Sequence, residues 1–234
     1  MSLVMSPKRK EKIVTIDGPS GVGKSTVSRR VAAGLAFTYL DTGAMYRAVG
    51  LKLKNSAIDL DDDSAVRNCL ENTSLSLLPA ASETEDVGVL LDGNDVSLEI
   101  RTPQMAMVAS KASALPAVRE KLTLMQQEIG RKGMVVAEGR DTGTVVFPQA
   151  AWKFYLDAAP VVRMKRRADQ LRAQGKEVDE EELLAMIVKR DHDDQNRTIA
   201  PLCKAVHAQT VDTGVLSIDE VVETMLLEIS RHSL

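Results

Sequence analysis

The chain has 234 residues, of which 44% are hydrophobic and 27% are charged. This length suits one α/β domain with an insertion, and the composition excludes a disordered or fibrous protein. Because 30 Lys and Arg residues against 33 Asp and Glu residues leave a net charge of -3, we expect no nucleic-acid partner and no membrane partner.

Cysteine usage and the N-terminus indicate the compartment. Cys69 and Cys203 lie in no Cys-x-x-Cys pair or Cys/His cluster, so neither a disulfide framework nor a zinc site is indicated. Residues 1–12 are basic and contain no apolar run of the length that a signal peptide needs, so we expect a disordered basic tail. We therefore predict a cytoplasmic protein, and we expect it to be a monomer.

Short apolar runs alternate with longer helical patterns along the chain. The apolar runs, which predict buried parallel strands, lie at residues 13–16, 134–137, 153–156 and 209–211. The helical patterns lie at residues 24–35, 42–53, 116–131, 160–174, 180–190 and 217–229. The alternation predicts an α/β fold in which helices flank a parallel, doubly wound sheet.

Residues 74–100 break this alternation. Apolar residues occupy alternate positions at 75–77 and at 87–91, around the turn-forming pair Asp92-Gly93. We predict a small antiparallel β insertion within a single domain that spans residues 13–234.

Residues 18–25 read Gly-Pro-Ser-Gly-Val-Gly-Lys-Ser and fit the P-loop pattern G-x-x-x-x-G-K-[ST] between a predicted strand and a predicted helix. The glycines allow consecutive backbone N–H groups to surround an oxygen cluster, and the helix N-terminus adds about half a positive charge. We predict that Lys24 binds the β- and γ-phosphates of ATP or GTP and that the Ser25 hydroxyl ligates Mg²⁺. The predicted ATP-binding residues of the loop are Gly18, Pro19, Ser20, Gly21, Val22, Gly23, Lys24, Ser25 and Thr26.

Segments outside this loop carry a more specific pattern. They are Asp41-Thr-Gly-Ala-Met-Tyr-Arg47, Asp95-Val-Ser, Glu99-Ile-Arg101-Thr, Ser110, Pro116-Ala-Val-Arg119, Glu138-Gly-Arg-Asp-Thr-Gly-Thr-Val-Val-Phe-Pro148, the set Arg190, Asp194 and Arg197, and Ala200-Pro201-Leu202. In this order and at these spacings they resemble the bacterial cytidylate kinases, a family of P-loop nucleoside monophosphate kinases. The resemblance covers nearly all of residues 13–229.

The resemblance implies an enzyme that transfers the γ-phosphate of ATP to CMP or dCMP with Mg²⁺. The catalytic residues it implies are Lys24, Arg140, Arg190 and Arg197. The CMP-binding residues it implies are Asp41, Thr42, Arg47, Ser110, Arg119, Arg140, Asp141, Arg190, Asp194 and Arg197. Among them, the cytosine would be faced by Ser110, Arg119 and Asp141, the sugar would be held by Arg190 and Asp194, and phosphate oxygens would be bound by Arg47, Arg140 and Arg197. Which of Arg140, Arg190 and Arg197 serves the acceptor phosphate stays open.

The resemblance also assigns residues 74–100 to a monophosphate-binding subdomain and residues 163–182 to a lid over ATP. Arg163, Arg166 and Arg167 begin the lid and become expected ATP ligands. Without the resemblance, their helical spacing would also fit a solvated helix face.

Alternative functions have weaker support in the sequence. A GTPase switch would carry an Asn-Lys-x-Asp element, and no Asn-Lys pair occurs. Asp-Thr-Gly triplets begin at Asp41, Asp141 and Asp212, as in an aspartic protease, but that fold needs β-rich lobes. A thymidylate kinase would show an Asp-Arg-aromatic triplet, and no Asp-Arg pair occurs. A non-catalytic nucleotide-binding module stays open, although an intact Lys24 and Ser25 argue against it.

Overall fold

The computed structural model describes residues 12–78 and 85–231. The predicted basic tail, apart from Lys12, lies outside the described residues, as do residues 79–84 of the predicted insertion. The chain divides into two compact units. Unit 1 combines residues 12–38 with residues 133–231, and unit 2 is Tyr39–Lys132.

A five-stranded sheet has the order β2-β6-β1-β7-β8, and its strands β1, β6, β7 and β8 belong to unit 1. The strands are β1 (Ile13–Asp17), β2 (Thr38–Asp41), β6 (Val135–Gly139), β7 (Trp152–Asp157) and β8 (Gln209–Asp212). Strand β1 pairs in parallel with β6 and β7, and β7 pairs in parallel with β8. All five residues of β1 are buried, because a central parallel strand is covered on both faces.

The helices of unit 1 complete the predicted α/β architecture, which is confirmed. They are α1 (Lys24–Leu35), α6 (Pro160–Ala173), α7 (Glu180–Asn196) and α8 (Ile218–Arg231). Helix α7 begins after Asp179, whose side chain accepts hydrogen bonds from the N–H groups of Glu181 and Glu182. It continues six residues beyond the predicted end at residue 190, through a polar stretch that has no apolar period for a sequence pattern to detect.

Unit 2 holds four α-helices, a short 3₁₀ helix at Glu99–Arg101 and a three-stranded antiparallel sheet among its described residues. The elements are α2 (Thr42–Asn55), α3 (Asp63–Glu71), β3 (Leu75–Leu78), β4 (Gly88–Leu91), β5 (Asn94–Asp95), α4 (Pro103–Ala112) and α5 (Pro116–Gly130). Strands β4 and β5 are joined by Asp92 and Gly93, both with positive φ, as the predicted turn requires. Side chains of Asp41, Asp62 and Thr102 cap α2, α3 and α4.

Candidate active site

The glycine-rich loop of residues 18–25 connects β1 to α1 in unit 1. Gly18 packs so closely on β7 that a Cβ there would lie 2.1 Å from the carbonyl oxygen of Leu156. Gly21 and Gly23 have φ values of 83° and 89°, a region that side chains disfavour. The first turn of α1 has no side-chain cap at Gly23, so its backbone N–H groups stay available to an anion.

Lys24 is buried beneath this loop and is only 8% exposed. Its Nζ donates hydrogen bonds to the carbonyl oxygens of Gly18 at 2.8 Å and Pro19 at 2.6 Å. Burial lowers the pKa of Lys24 well below its usual value, and the positive charges of Arg140 and Arg190 lower it further, against the opposing effect of Glu138. An anion bound in the loop would stabilise the protonated amine, so the electrostatics favour a phosphate there.

Two arginines hold Ser20 in the middle of the loop. Arg163 donates from Nη1 to the Ser20 carbonyl oxygen at 3.1 Å, and Arg190 donates from Nη1 to the Ser20 hydroxyl at 3.2 Å. Asp191 orients Arg163 by accepting hydrogen bonds from both Nη1 and Nη2. Arg163 is only 2% exposed and also donates to the carbonyl oxygen of Ala158, so it supports the loop from behind.

Arg140 forms an ion pair with Asp194, with 2.9 Å between Nε and Oδ2. Burial alone would raise the pKa of Asp194, but the charge and hydrogen bond of Arg140, together with the charges of Arg190 and Arg197, lower it below its usual value. Asp194 is therefore ionised at neutral pH and balances part of the positive charge around the phosphate loop.

Asp17, the last residue of β1, binds the segment that follows Arg140 and Asp141. Its carboxylate accepts hydrogen bonds from the N–H and hydroxyl of Thr142 at 2.9 and 2.8 Å, and from the Gly143 N–H at 2.8 Å. Burial raises the pKa of Asp17, while the hydrogen bonds from Gly143 and Thr142 lower it and the nearby charge of Asp141 raises it. The site thus contains a buried acid that the sequence motifs do not indicate.

The remaining residues predicted for ATP lie at the margin of this set. The Arg166 guanidinium binds the backbone oxygen and hydroxyl of Thr213, and Arg167 donates to Gln170 on its own helix. Ser25 is exposed in the first turn of α1. Within residues 12–78 and 85–231, no three His, Cys, Asp or Glu side chains form a metal-binding group.

Unit 2 holds a second group of predicted site residues around Asp41. This carboxylate accepts the Ala44 N–H at 2.8 Å and so caps α2, and it also binds Arg47 with 3.2 Å between Oδ2 and Nη2. Arg101 approaches the same oxygen at 4.0 Å and is itself held by Asp86 at 2.8 Å. Asp41 therefore orients Arg47 and lies near Arg101, and guanidinium groups suit phosphate oxygens.

Arg119 of unit 2 is buried, with 4% exposure. Its guanidinium carbon lies 5.6 Å from the centroid of the Tyr46 ring, within range of a cation–π contact, and its Nη1 donates to the Ser113 carbonyl oxygen at 3.1 Å. Thr42 is buried at the start of α2, and Ser110 is partly buried on α4. The contact between Tyr46 and Arg119 was not predicted from the sequence, because an aromatic residue in an apolar helix is normally interpreted as a core residue.

A comparison with protein families identifies the chain. The family model described as cytidylate kinase matches residues 14–231, which include both groups of site residues. The chain belongs to the cytidylate kinase family.

Relatives of this family match the chain over nearly its whole length. It is 47% identical over 220 residues to the cytidylate kinase of Carboxydothermus hydrogenoformans, covering 94% of this chain and 98% of that protein. It is 45% identical over 213 residues to the cytidylate kinase of Fervidobacterium nodosum, covering 91% of this chain and 94% of that protein. In fold alone it resembles an uncharacterized protein from Eubacterium ventriosum, with a TM-score of 0.52 and 11% identity over 94% of this chain and 99% of that chain.

The residues expected from the cytidylate kinase resemblance thus fall into two groups. Unit 1 brings together Lys24, Arg140, Arg163, Arg190 and Asp194 around the phosphate loop. In unit 2, Asp41 contacts Arg47, and Arg119 lies on another helix, α5. No helix of the described chain combines the length and apolar character needed to cross a membrane.

Proposed function

We propose that the chain catalyses transfer of the γ-phosphate of ATP to CMP or dCMP, giving CDP or dCDP and ADP. The observation that carries this proposal is the buried Lys24 beneath a glycine-rich loop and beside Arg140 and Arg190, in a chain of the cytidylate kinase family. A lysine and two guanidinium groups that lie close together attract a polyanion, and a triphosphate supplies one.

On the donor side, we assign the triphosphate of ATP to the loop of residues 18–25. Lys24 would exchange its bonds to the Gly18 and Pro19 carbonyl oxygens for bonds to phosphate oxygens. Arg163 and Arg190 keep the loop in shape through Ser20. The predicted lid at residues 163–182 would exclude water, which otherwise competes as the acceptor.

The donor residues fit a magnesium ion bound mainly to the nucleotide. Ser25 offers an exposed hydroxyl at the mouth of the loop, and no acidic cluster is present among the described residues. This donor set suits Mg²⁺, which is commonly held by substrate phosphates, water and few protein ligands. When bound, the ion would neutralise charge on the phosphate oxygens during transfer.

On the acceptor side, we propose that the nucleoside monophosphate is bound by the residues that the family resemblance implies. Arg47 would bind its phosphate, and Ser110, Arg119 and Asp141 would face the cytosine. Arg190 and Asp194 would hold the sugar, and Arg140 and Arg197 would bind phosphate oxygens.

The chemistry requires no general base. The second pKa of a phosphate monoester is about 6, so the acceptor already carries the attacking oxygen as an anion at neutral pH. The protein contributes alignment and charge neutralisation in an in-line transfer. Lys24, Arg140 and Arg190 would stabilise the charge that spreads over the transferred group, and their mutual proximity supports this role.

The test is ADP formation from ATP and Mg²⁺ with a panel of acceptors, namely CMP, dCMP, UMP, AMP, GMP and dTMP. We expect CMP and dCMP to give the highest kcat/KM. No turnover with either, or faster turnover with a purine monophosphate, would contradict the proposal. We further infer that the enzyme is monomeric and cytoplasmic, in keeping with the free thiols of Cys69 and Cys203. Sedimentation at several protein concentrations tests the oligomeric state.

A further inference from the structure

We propose that Asp17 is a positioning residue of this active site, whose buried carboxylate fixes the backbone after Asp141 and thereby the direction of Arg140 and Asp141. The inference rests on the proposed function, because the proposed function assigns the side chains of Arg140 and Asp141 to binding of the acceptor nucleotide. Asp17 is only 2% exposed, so it acts through the chain segment that it binds and not by touching substrate.

The Asp17 side chain accepts several hydrogen bonds. Both carboxylate oxygens accept hydrogen bonds, Oδ1 from the N–H and hydroxyl of Thr142 and Oδ2 from the N–H of Gly143, all at 2.8 to 2.9 Å. Asp17 lies opposite Gly139 in the parallel pairing of β1 with β6. The carboxylate therefore reaches across from the neighbouring strand to the chain just beyond the end of β6.

Asp17 takes the place of a helix cap. Residues Thr142–Val146 form a π-helical turn whose N-cap residue is Asp141, yet the Asp141 side chain makes no capping hydrogen bond. An aspartate at this position usually caps its own helix by accepting an N–H of the first turn. Here the first N–H groups of the turn, those of Thr142 and Gly143, bind Asp17 instead.

The packing leaves this segment little freedom. A Cβ placed on Gly143 would lie 2.8 Å from the Thr15 hydroxyl, 3.3 Å from Oδ2 of Asp17 and 3.3 Å from the Cβ of Ala205. Thr15 is fully buried on the same central strand as Asp17. The turn is thus pressed against β1, and the hydrogen bonds to Asp17 set its orientation there.

The charge of Asp17 has a second effect on the site. Its carboxylate is one of the groups that raise the pKa of Lys24, opposing the burial that lowers it. A neutral side chain at position 17 would weaken the anchor of the turn and would remove only a minor contribution to the charge around Lys24, where Glu138 contributes more. The hydrogen bonds from the turn to Asp17 position the side chains assigned to the acceptor. Their loss should therefore change the preference of the enzyme for CMP over UMP.

The test compares Asp17→Asn with the pair Thr142→Val and Thr142→Ser. In Asp17→Asn the amide NH₂ must face a backbone N–H in either orientation, so we expect kcat/KM for CMP to fall at least about tenfold. The preference for CMP over UMP should narrow, while KM for ATP changes less than about threefold. Thr142→Val removes one hydrogen bond and should give a smaller loss of the same kind, and Thr142→Ser should restore wild-type values.

Thermal unfolding shows which variants are folded under assay conditions. A folded Asp17→Asn enzyme with an unchanged CMP-to-UMP ratio would overturn the proposal, as would a rise in KM for ATP as large as the loss toward CMP. If Asp17→Asn does not fold, equal kinetics of the Val and Ser variants at Thr142 would overturn it. Failure of the wild type to phosphorylate CMP would instead contradict the proposed function.

Discussion

Replacing Asp194 with asparagine removes the carboxylate that binds Arg140 while nearly preserving the shape of the side chain. The two side chains are 7% and 19% exposed, so the ion pair is largely buried. Removing one partner of a buried pair costs about 3 to 5 kcal/mol, and an exposed pair contributes about 0 to 1 kcal/mol. Because asparagine keeps one acceptor oxygen and water reaches part of Arg140, we expect a loss of about 2 kcal/mol in unfolding free energy at pH 7.

The pH dependence of this loss follows from the lowered pKa of Asp194. A carboxyl whose pKa is lower in the folded state stabilises the fold above its unfolded pKa, about 3.9, and the stabilisation is lost as the pH falls through the folded value. The difference between wild type and Asp194→Asn should therefore stay constant from about pH 7 to about pH 5 and shrink below about pH 4. Urea unfolding at a series of pH values measures it.

Asp193→Asn is the matched control on the same helix. Asp193 is 51% exposed and pairs with Lys189 one turn away, so its loss should cost less than about 0.5 kcal/mol. The reasoning would be refuted if both variants lost the same stability, or if the loss in Asp194→Asn did not change between pH 7 and pH 3.

Three further predictions, two of them with a control variant, test individual assignments. Lys24→Met should lower turnover more than about 100-fold with little change in thermal unfolding, while the control Lys153→Met stays active; near-normal turnover would contradict the donor site. Asp141→Asn should narrow a CMP preference over UMP of at least about tenfold, since only a carboxylate repels the uracil O4; an unchanged kcat/KM ratio would remove Asp141 from base selection. Tyr46→Leu should raise KM for CMP about fivefold and Tyr46→Phe should not, because the aromatic ring supports Arg119. Equal KM values for CMP in the Leu and Phe variants would exclude a role of the ring in CMP binding.

The phosphate loop and the central sheet could be predicted because their signals are local. A glycine spacing identified residues 18–25, and a continuous apolar run identified β1. Strand β2 was missed because it has only four residues, two of them buried, which is too few to show an alternation of apolar and polar positions. Helix α3 was missed for a similar reason, since only Val66 and Leu70 are buried in its nine residues.

The contacts that orient the site could not be predicted in the same way. Asp17 and Thr142 are 125 residues apart, and only the parallel register of β1 and β6 brings them together. The bond between Arg163 and Asp191 depends on how α6 and α7 pack, which charge patterns do not encode. The resemblance named residues that are expected to contact nucleotide, whereas the side chains that hold those residues carry no motif of their own.

The double use of Asp41 has a consequence for how variation at this position is interpreted. One oxygen of its carboxylate caps α2 by accepting a hydrogen bond from the Ala44 N–H, and the other binds Arg47. A survey of variants scored by protein abundance would classify Asp41 as a folding residue, whereas one scored by catalysis would classify it as a substrate-site residue. Under the proposed function both classifications would be correct, so a survey of either kind alone would detect only one of the two roles of Asp41.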